Sequence, residues 1–225
     1  MLCVPLAGAQ QAGGTAIGDA LLVARPAIAG KALSLNGTLG VEAAGRAVVL
    51  EARARPEHDW TEIARAKAAS DGSFRAAWRG TRAGRYEVRA RLASTAHAVQ
   101  ATAPPTTIAT VYRGATATWY SQPGSRTACG TRLRRSTIGL AHRTLPCGSL
   151  VDVTYRGRTL SVPVIDRGPF VRGVHYDLTL AAARVLRFVA AGRVRVGVLP
   201  AGERAPQSPL GVAAPGRAGG LAAGR

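Results

Sequence analysis

Between residues 113 and 200 the chain carries 14 arginines and only three carboxylates, Asp152, Asp166 and Asp177. So few acids amid so much positive charge are either structural or reserved for chemistry. Asp166 follows the apolar run Val162-Pro163-Val164-Ile165 and opens Asp-Arg-Gly-Pro. That places it at a rim, where a buried strand exits. An acid there can exchange a proton with a bound molecule, or it can cap backbone N–H groups and organise a loop. The residues alone leave both roles open. Asp152 falls among alternating strand residues and is expected to face solvent. Asp177 precedes an apolar pattern of helical period, where it is placed to cap a helix. His142, in Ala-His-Arg-Thr-Leu-Pro, is one of four histidines. By spacing alone it reads as structural.

The cysteines depend on where the chain is processed. Ala7-Gly8-Ala9 ahead of Gln10 fits the small-x-small pattern of a signal-peptidase site. The apolar segment before it is short and lacks a basic start, so it reads as the remnant of an export signal. Cleavage there removes Cys3 and leaves Cys129 and Cys147. An even pair in an exported chain reads as a disulfide. The loop spans roughly 18 residues, so chain entropy contributes about 3 kcal/mol. A metal pair or two buried thiols are the alternatives. The sequence has no CxxC and no histidine at ligand spacing, so no metal and no cofactor is expected.

The elements that must hold these residues are short and turn-punctuated. Residues 116–120 read as a strand. Residues 150–155 alternate, turn at Arg156-Gly157, and resume over 159–165 with Leu160, Val162 and Val164 on one face. Residues 178–188 have apolar positions at 178, 182, 185 and 186, a helical period, and 194–199 close with a strand. This is a small barrel with one helix. Upstream, turns such as Asn36-Gly37 and Asp71-Gly72 recur about every ten residues between alternating stretches, which is the pattern of an antiparallel sandwich. The division expected is a leader remnant and flexible segment over 1–25, an immunoglobulin-like β-sandwich over 26–112, the barrel over 113–200, and a disordered tail over 201–225. An Ala/Thr/Pro-rich stretch over 96–107 is either a linker or a last edge strand.

Composition supports a mainly β chain. Of 225 residues, 47 % are hydrophobic, enough for a packed core, while Gly 27, Pro 13 and 5 % aromatics favour turns over helices. No stretch approaches the roughly 18 apolar residues of a membrane-spanning helix. The net charge of +18 comes from 28 Arg and two Lys (Lys31 and Lys67). Such a surface adheres to polyanions. The arginines are scattered, and no zinc finger, basic helix or aromatic RNA-binding motif is present, so nucleic acid is not the expected partner.

Three stretches carry a family resemblance: ATWYSQPGSRTACG, GLAHRTLPCGSLVDV and VPVIDRGPFVRGVHYDLTLAAARVL. Together they resemble the RlpA-like double-psi β-barrel family, over about residues 115–199. The resemblance implies a six-stranded barrel in an exported protein, secreted or held at the cell envelope, that acts on the bacterial wall. Characterised members are lytic transglycosylases that cleave peptidoglycan glycan strands, preferring those stripped of peptides. The same barrel occurs in expansins, which loosen wall polysaccharide without hydrolysis, and His175-Tyr176-Asp177-Leu178 is similar to their HFDL segment. The segments Asp71-Gly72-Ser73-Phe74 and Gly84-Arg85-Tyr86-Glu87-Val88 resemble late strands of bacterial immunoglobulin-like or fibronectin-like modules.

Carried across position by position, the resemblance makes Asp166 the general acid/base and adds His142 to the catalytic set. Trp119, Tyr120, Thr131, Arg167 and Asp177 become the substrate contacts. For Trp119, ordinary barrel core is an equal alternative to sugar stacking. The family has an acid, usually Glu, after Thr-Ala-x-Gly, and this chain has Thr131 there. A transglycosylase can manage with one carboxylate, because the sugar's own 6-hydroxyl attacks and leaves an anhydro product. The resulting expectation is a monomer acting on peptidoglycan glycan strands, with anionic wall polymers as further partners. The alternative is an expansin-like protein that binds or loosens wall polysaccharide without cutting it. A third reading is an adaptor whose basic surface adheres to the wall.

Overall fold

The computed structural model describes residues 21–93 and 104–201. The leader motif, most of the 96–107 stretch and the tail from 202 onward lie outside the described residues. Strands dominate, as the composition implies. They are β1 (Leu21–Arg25), β2 (Ala27–Ile28), β3 (Leu33–Thr38), β4 (Ala47–Arg53), β5 (Thr61–Lys67), β6 (Ser73–Trp78), β7 (Gly84–Leu92), β8 (Thr106–Tyr120), β9 (Leu140–Ala141), β10 (Leu150–Tyr155), β11 (Arg158–Asp166), β12 (Tyr176–Thr179) and β13 (Val194–Pro200). The one α-helix among the described residues, α1 (Leu180–Leu186), follows β12.

The first half is a two-layer sandwich. One sheet runs β1-β3-β6, and the other continues from β8 through β7 and β4 to β5. Alternation on β6 sends Phe74, Ala76 and Trp78 inward, where they meet Leu33, Leu35, Leu50, Val88 and Val111. Trp78 sets its ring edge-on to Tyr86 at 5.0 Å, and the Tyr86 hydroxyl donates to the Arg82 carbonyl at 2.9 Å. β1 occupies residues assigned from sequence to a flexible segment. Its pairing with β3, Leu21 opposite Thr38 through Arg25 opposite Ser34, supplies the order that its Ala-rich surroundings hide.

The second half is a closed barrel of six strands. The path β12-β9-β11-β10-β13-β8 is sealed by a parallel pairing of β12 with β8. Small and β-branched residues fill its interior: Ala115, Ala117, Val151, Val153, Val162, Val164, Val196 and Val198 are all at most 5 % exposed. α1 caps one end with Ala182, Ala183 and Leu186. Asp177 does not cap this helix. It lies within β12, and the Thr179 hydroxyl accepts from the Ala182 N–H at 3.4 Å in its place.

β8 runs unbroken for 15 residues through both halves, across position 112/113 where the sequence division falls. Its start pairs with β7 and its end with β13 and β12. Asp152 does not project into solvent either. It leans across the junction to form an ion pair with Arg85 of β7. Gly197 on β13 lies against this junction, and a Cβ there would sit 2.7 Å from both Tyr112 Cβ and Thr154 Cγ2. Tyr112 Cβ belongs to the strand's own framework and cannot swing aside. Gly197→Ala is therefore expected to cost about 1–3 kcal/mol, the scale of overpacking. Denaturant unfolding measures this, and an unchanged midpoint would mean that the junction is not close-packed.

Candidate functional site

The site forms on the outer face of the barrel, where β8, β12, β9 and β11 lie side by side. Strand alternation decides which residues reach it. On β8, Ala115, Ala117 and Trp119 turn inward, so Thr118 and Tyr120 turn outward. On β12, Tyr176 and Leu178 join the core and Asp177 turns outward. Strict alternation on β11 would send Asp166 inward behind Val162 and Val164. The register slips between Val164 and Asp166 against β9, a bulge that returns Asp166 to the outer face. Asp166 and Asp177 then flank the same residue, Ala141 of β9. Their Cα atoms are two strand spacings apart, about 9.5 Å.

The two acids differ in surroundings. Asp166 Oδ1 accepts from the backbone N–H of Ala128 at 2.9 Å and of Arg167 at 2.8 Å. That oxygen anchors the 127–131 loop to the end of β11. Asp177 accepts from the Thr118 hydroxyl at 2.7 Å. Burial pushes its carboxyl above the ordinary value, and the Asp166 charge adds to the rise against the Thr118 hydrogen bond. The Tyr120 hydroxyl is buried, lies near both acids and completes no hydrogen bond of full geometry. Burial, then Asp166 and Asp177, raise its pKa far above the usual phenol range, so it stays a proton donor.

The other expected site residues mainly hold loops. His142 Nδ1 accepts from the N–H of Thr144 at 3.2 Å and Leu145 at 3.0 Å, and its ring packs on Tyr176 at 4.8 Å. These bonds assign the proton to Nε2. Burial, with Arg143, Arg167 and His175 nearby, lowers its pKa. Arg167 donates to the carbonyls of Leu145 at 3.0 Å and His142 at 3.4 Å, and to Cys147 Sγ at 3.1 Å. Its guanidinium is committed to the protein. Trp119 joins the barrel core, its indole N–H donating to the Val189 carbonyl at 3.0 Å. Its ring is partly buried against that core. Thr131 is half-buried in the loop that anchors Asp166, its N–H bound to Thr127 Oγ1 at 3.0 Å. Cys129 and Cys147 form a disulfide that ties this loop to the 142–149 segment.

Sequence reasoning missed two residues that shape the site. Thr118 shares the outward face of β8 with Tyr120, and the i, i+2 spacing was the available signal. Arg143 donates to the carbonyls of Pro169 at 2.7 Å, Val174 at 3.1 Å and Val171 at 3.2 Å. It thereby clamps the 167–174 loop, on which Phe170 stands 82 % exposed and Val171 62 %. Nothing in its spacing marks that role, because its partners are carbonyls more than 25 residues away.

Residues 112–198 match the family described as lytic transglycolase. The barrel is RlpA-like. Over 88 residues it is 44 % identical to the probable endolytic peptidoglycan transglycosylase RlpA of Aquifex aeolicus, which covers 37 % of each chain. A probable endolytic peptidoglycan transglycosylase RlpA from Synechocystis is 41 % identical over 84 residues, 36 % of this chain and 26 % of that one. The chain thus spans about a third or less of the length of these relatives. A Clavibacter michiganensis expansin mutant solved with cellohexaose is 23 % identical, covering 43 % of this chain and 52 % of that one, with a TM-score of 0.35. Among the described residues no helix is long and apolar enough to cross a membrane.

The lowered His142 pKa has a definite consequence. The unfolded chain takes up this proton near pH 6.5 and the folded chain resists it, so the contribution to stability is complete above about pH 6.5 and declines as the pH falls below it. In an NMR titration the His142 ring is expected to protonate below pH 6.5. A midpoint at or above that value would show that the ring is neither desolvated nor facing the arginines.

Proposed function

We propose that the RlpA-like barrel cleaves peptidoglycan glycan strands as a lytic transglycosylase, with Asp177 and Asp166 working as an unequal pair. The observation that carries this reading is the half-buried, upshifted Asp177 carboxyl, hydrogen-bonded to Thr118 two strands from Asp166 and near Tyr120. In this reading Asp177 gives its proton to the glycosidic oxygen, and the bond from the sugar's C1 to that oxygen breaks. The leaving strand departs as an alcohol. The 6-hydroxyl of the remaining sugar then bonds to C1, and its proton returns to Asp177. No water is consumed and the acid is regenerated. Asp166 stays anchored by Ala128 and Arg167 and offers negative charge to the cationic sugar formed between the two steps. The sequence reading gave the proton to Asp166. The environments of the two acids favour Asp177, since the Oδ1 of Asp166 is already spent on two amides.

The remaining residues bind and orient. Tyr120 directs its buried hydroxyl proton toward Asp166. Phe170, exposed on the clamped loop four residues after Asp166, offers a face for a sugar ring. His142 and Arg167 position the loops that carry Asp166, and Arg143 positions the one that carries Phe170.

One observation favours the expansin-like alternative. Thr131 stands where the family has an acid, in the loop that Asp166 anchors, so the rim lacks a third carboxylate.

Digestion of purified peptidoglycan, with mass analysis for anhydro-muropeptides, tests these readings. Asp177→Asn is expected to remove at least about 100-fold of the rate, the scale of a lost general acid. Asp166→Asn is expected to cost about tenfold, as loss of one electrostatic partner. Circular dichroism confirms that both variants fold. If the larger loss falls on Asp166→Asn, the roles are reversed. If wild type yields no anhydro product and Thr131→Glu gains it, the expansin-like reading holds.

A further inference from the structure

Next to the carboxylate pair, the outer face carries a shallow, open hollow of about 10 Å³ lined by Tyr120, Gln122, Leu133, Arg134, Arg135 and Leu180 among others. Pockets that enclose a whole small molecule run to about 300–1,000 Å³. With room for about one water-sized group, this one admits only the end of a substituent and not a sugar ring. Tyr120 belongs to both, so the hollow continues the site.

Its charge is one-sided. Arg134 and Arg135 line it, both are exposed, and neither pairs with a carboxylate among the described residues. Elsewhere the described part of the chain does pair arginines, as in Arg53 with Glu87 and Arg89 and Arg91 with Glu51. The backbone carrying the two arginines is fixed. The Leu133 N–H donates to the Ser125 carbonyl at 2.8 Å, and the Gly124 N–H donates back to the Leu133 carbonyl at 2.9 Å. The Arg134 N–H donates to Thr137 Oγ1 at 2.8 Å, which closes the next turn. Leu133 itself is buried at 5 % exposure and pins the hairpin to the barrel.

We propose that this hollow is a carboxylate-binding subsite, in which Arg134 and Arg135 receive an acid group carried by the sugar next to the bond that is cut. It rests on the glycan-cleaving reading above. Planar guanidinium groups match a carboxylate through paired, charge-assisted hydrogen bonds. The need is set by the neighbouring site. A negatively charged substrate approaching Asp166 meets repulsion, and two cations beside Tyr120, unpaired with any carboxylate among the described residues, offset it while fixing the register of the strand. The carboxylate can come from the lactyl ether of a muramyl ring or from a peptide stem. The subsite chemistry is shared by both.

The test is an NMR titration of the full chain that follows the guanidinium Nε–H signals of Arg134 and Arg135. Three probes are added in turn: N-acetylmuramic acid, its uncharged methyl ester, and muramyl dipeptide, in which the lactyl group is an amide and the acid sits on the stem. Shifts with N-acetylmuramic acid and none with the ester identify a lactyl carboxylate. Shifts with muramyl dipeptide alone identify a stem carboxylate. The double variant Arg134→Gln, Arg135→Gln is expected to bind the effective acid at least about tenfold more weakly, the scale of one lost charge-assisted hydrogen bond. Equal shifts from acid and ester, no shift from either acid, or unchanged affinity in the double variant would overturn the proposal. Anhydro-product formation is measured on the same preparation. Product without an acid-specific shift removes the subsite alone, and an acid-specific shift without product removes only the cleavage reading.

Discussion

The parallel pairing of β12 with β8 is the constraint on which the rest of the site depends. It seals the barrel, and its register sets Asp177 opposite Thr118 and Thr179 opposite Tyr120. Side chains alternate along a strand, so a slip of one residue would exchange the faces and drive Asp177 into a core of Ala, Val and Leu. The same register keeps Tyr176 and Leu178 inside, where they meet Ala117 and Leu140. Apolar packing on one face therefore fixes the position of an acid on the other. Because β8 also pairs with β7 of the sandwich, the site shares its longest strand with the first half of the chain.

A strongly basic domain has to keep its few acids useful. Asp152 is neutralised by Arg85. Among the described residues, Asp166 and Asp177 are not paired with arginine, although Arg143 and Arg167 are close in sequence to the site. Those two guanidinium groups are occupied by backbone carbonyls instead. Their hydrogen bonds stiffen the loops that carry Asp166 and Phe170, and they keep cations from pairing with the carboxylates. Burial then acts on Asp177 with Asp166 nearby, and both raise its pKa. The disulfide completes the frame by joining the 127–131 loop to the segment that His142 organises.

Much of the barrel was legible in the sequence, because its strands alternate cleanly and their turns carry Gly. β10 and β11 follow the pattern of Val151, Val153, Val162 and Val164 almost to the residue. Asp166 was legible as a strand-exit acid, though not the bulge that turns it outward, since a one-residue slip leaves no mark on hydrophobic period. Asp177 read as a helix cap because a β-strand of four residues running straight into a helix merges with the helix's own apolar pattern. The continuity of β8 was hidden by the Pro104-Pro105 pair just before it, which resembles a linker. Trp119 could not be assigned from type alone. Its inward orientation follows from strand parity with Ala115 and Ala117, which requires knowing where the barrel interior lies.

The central claim is that Asp177 holds the transferable proton because it is half-buried near a second carboxylate. A carboxyl-carbon NMR titration of Asp177, in wild type and in Asp166→Asn, measures this directly. The account predicts a midpoint above the ordinary value of 3.8 in wild type and a fall toward it when the Asp166 charge is removed. A wild-type midpoint at or below 3.8, or one unmoved by Asp166→Asn, would contradict it.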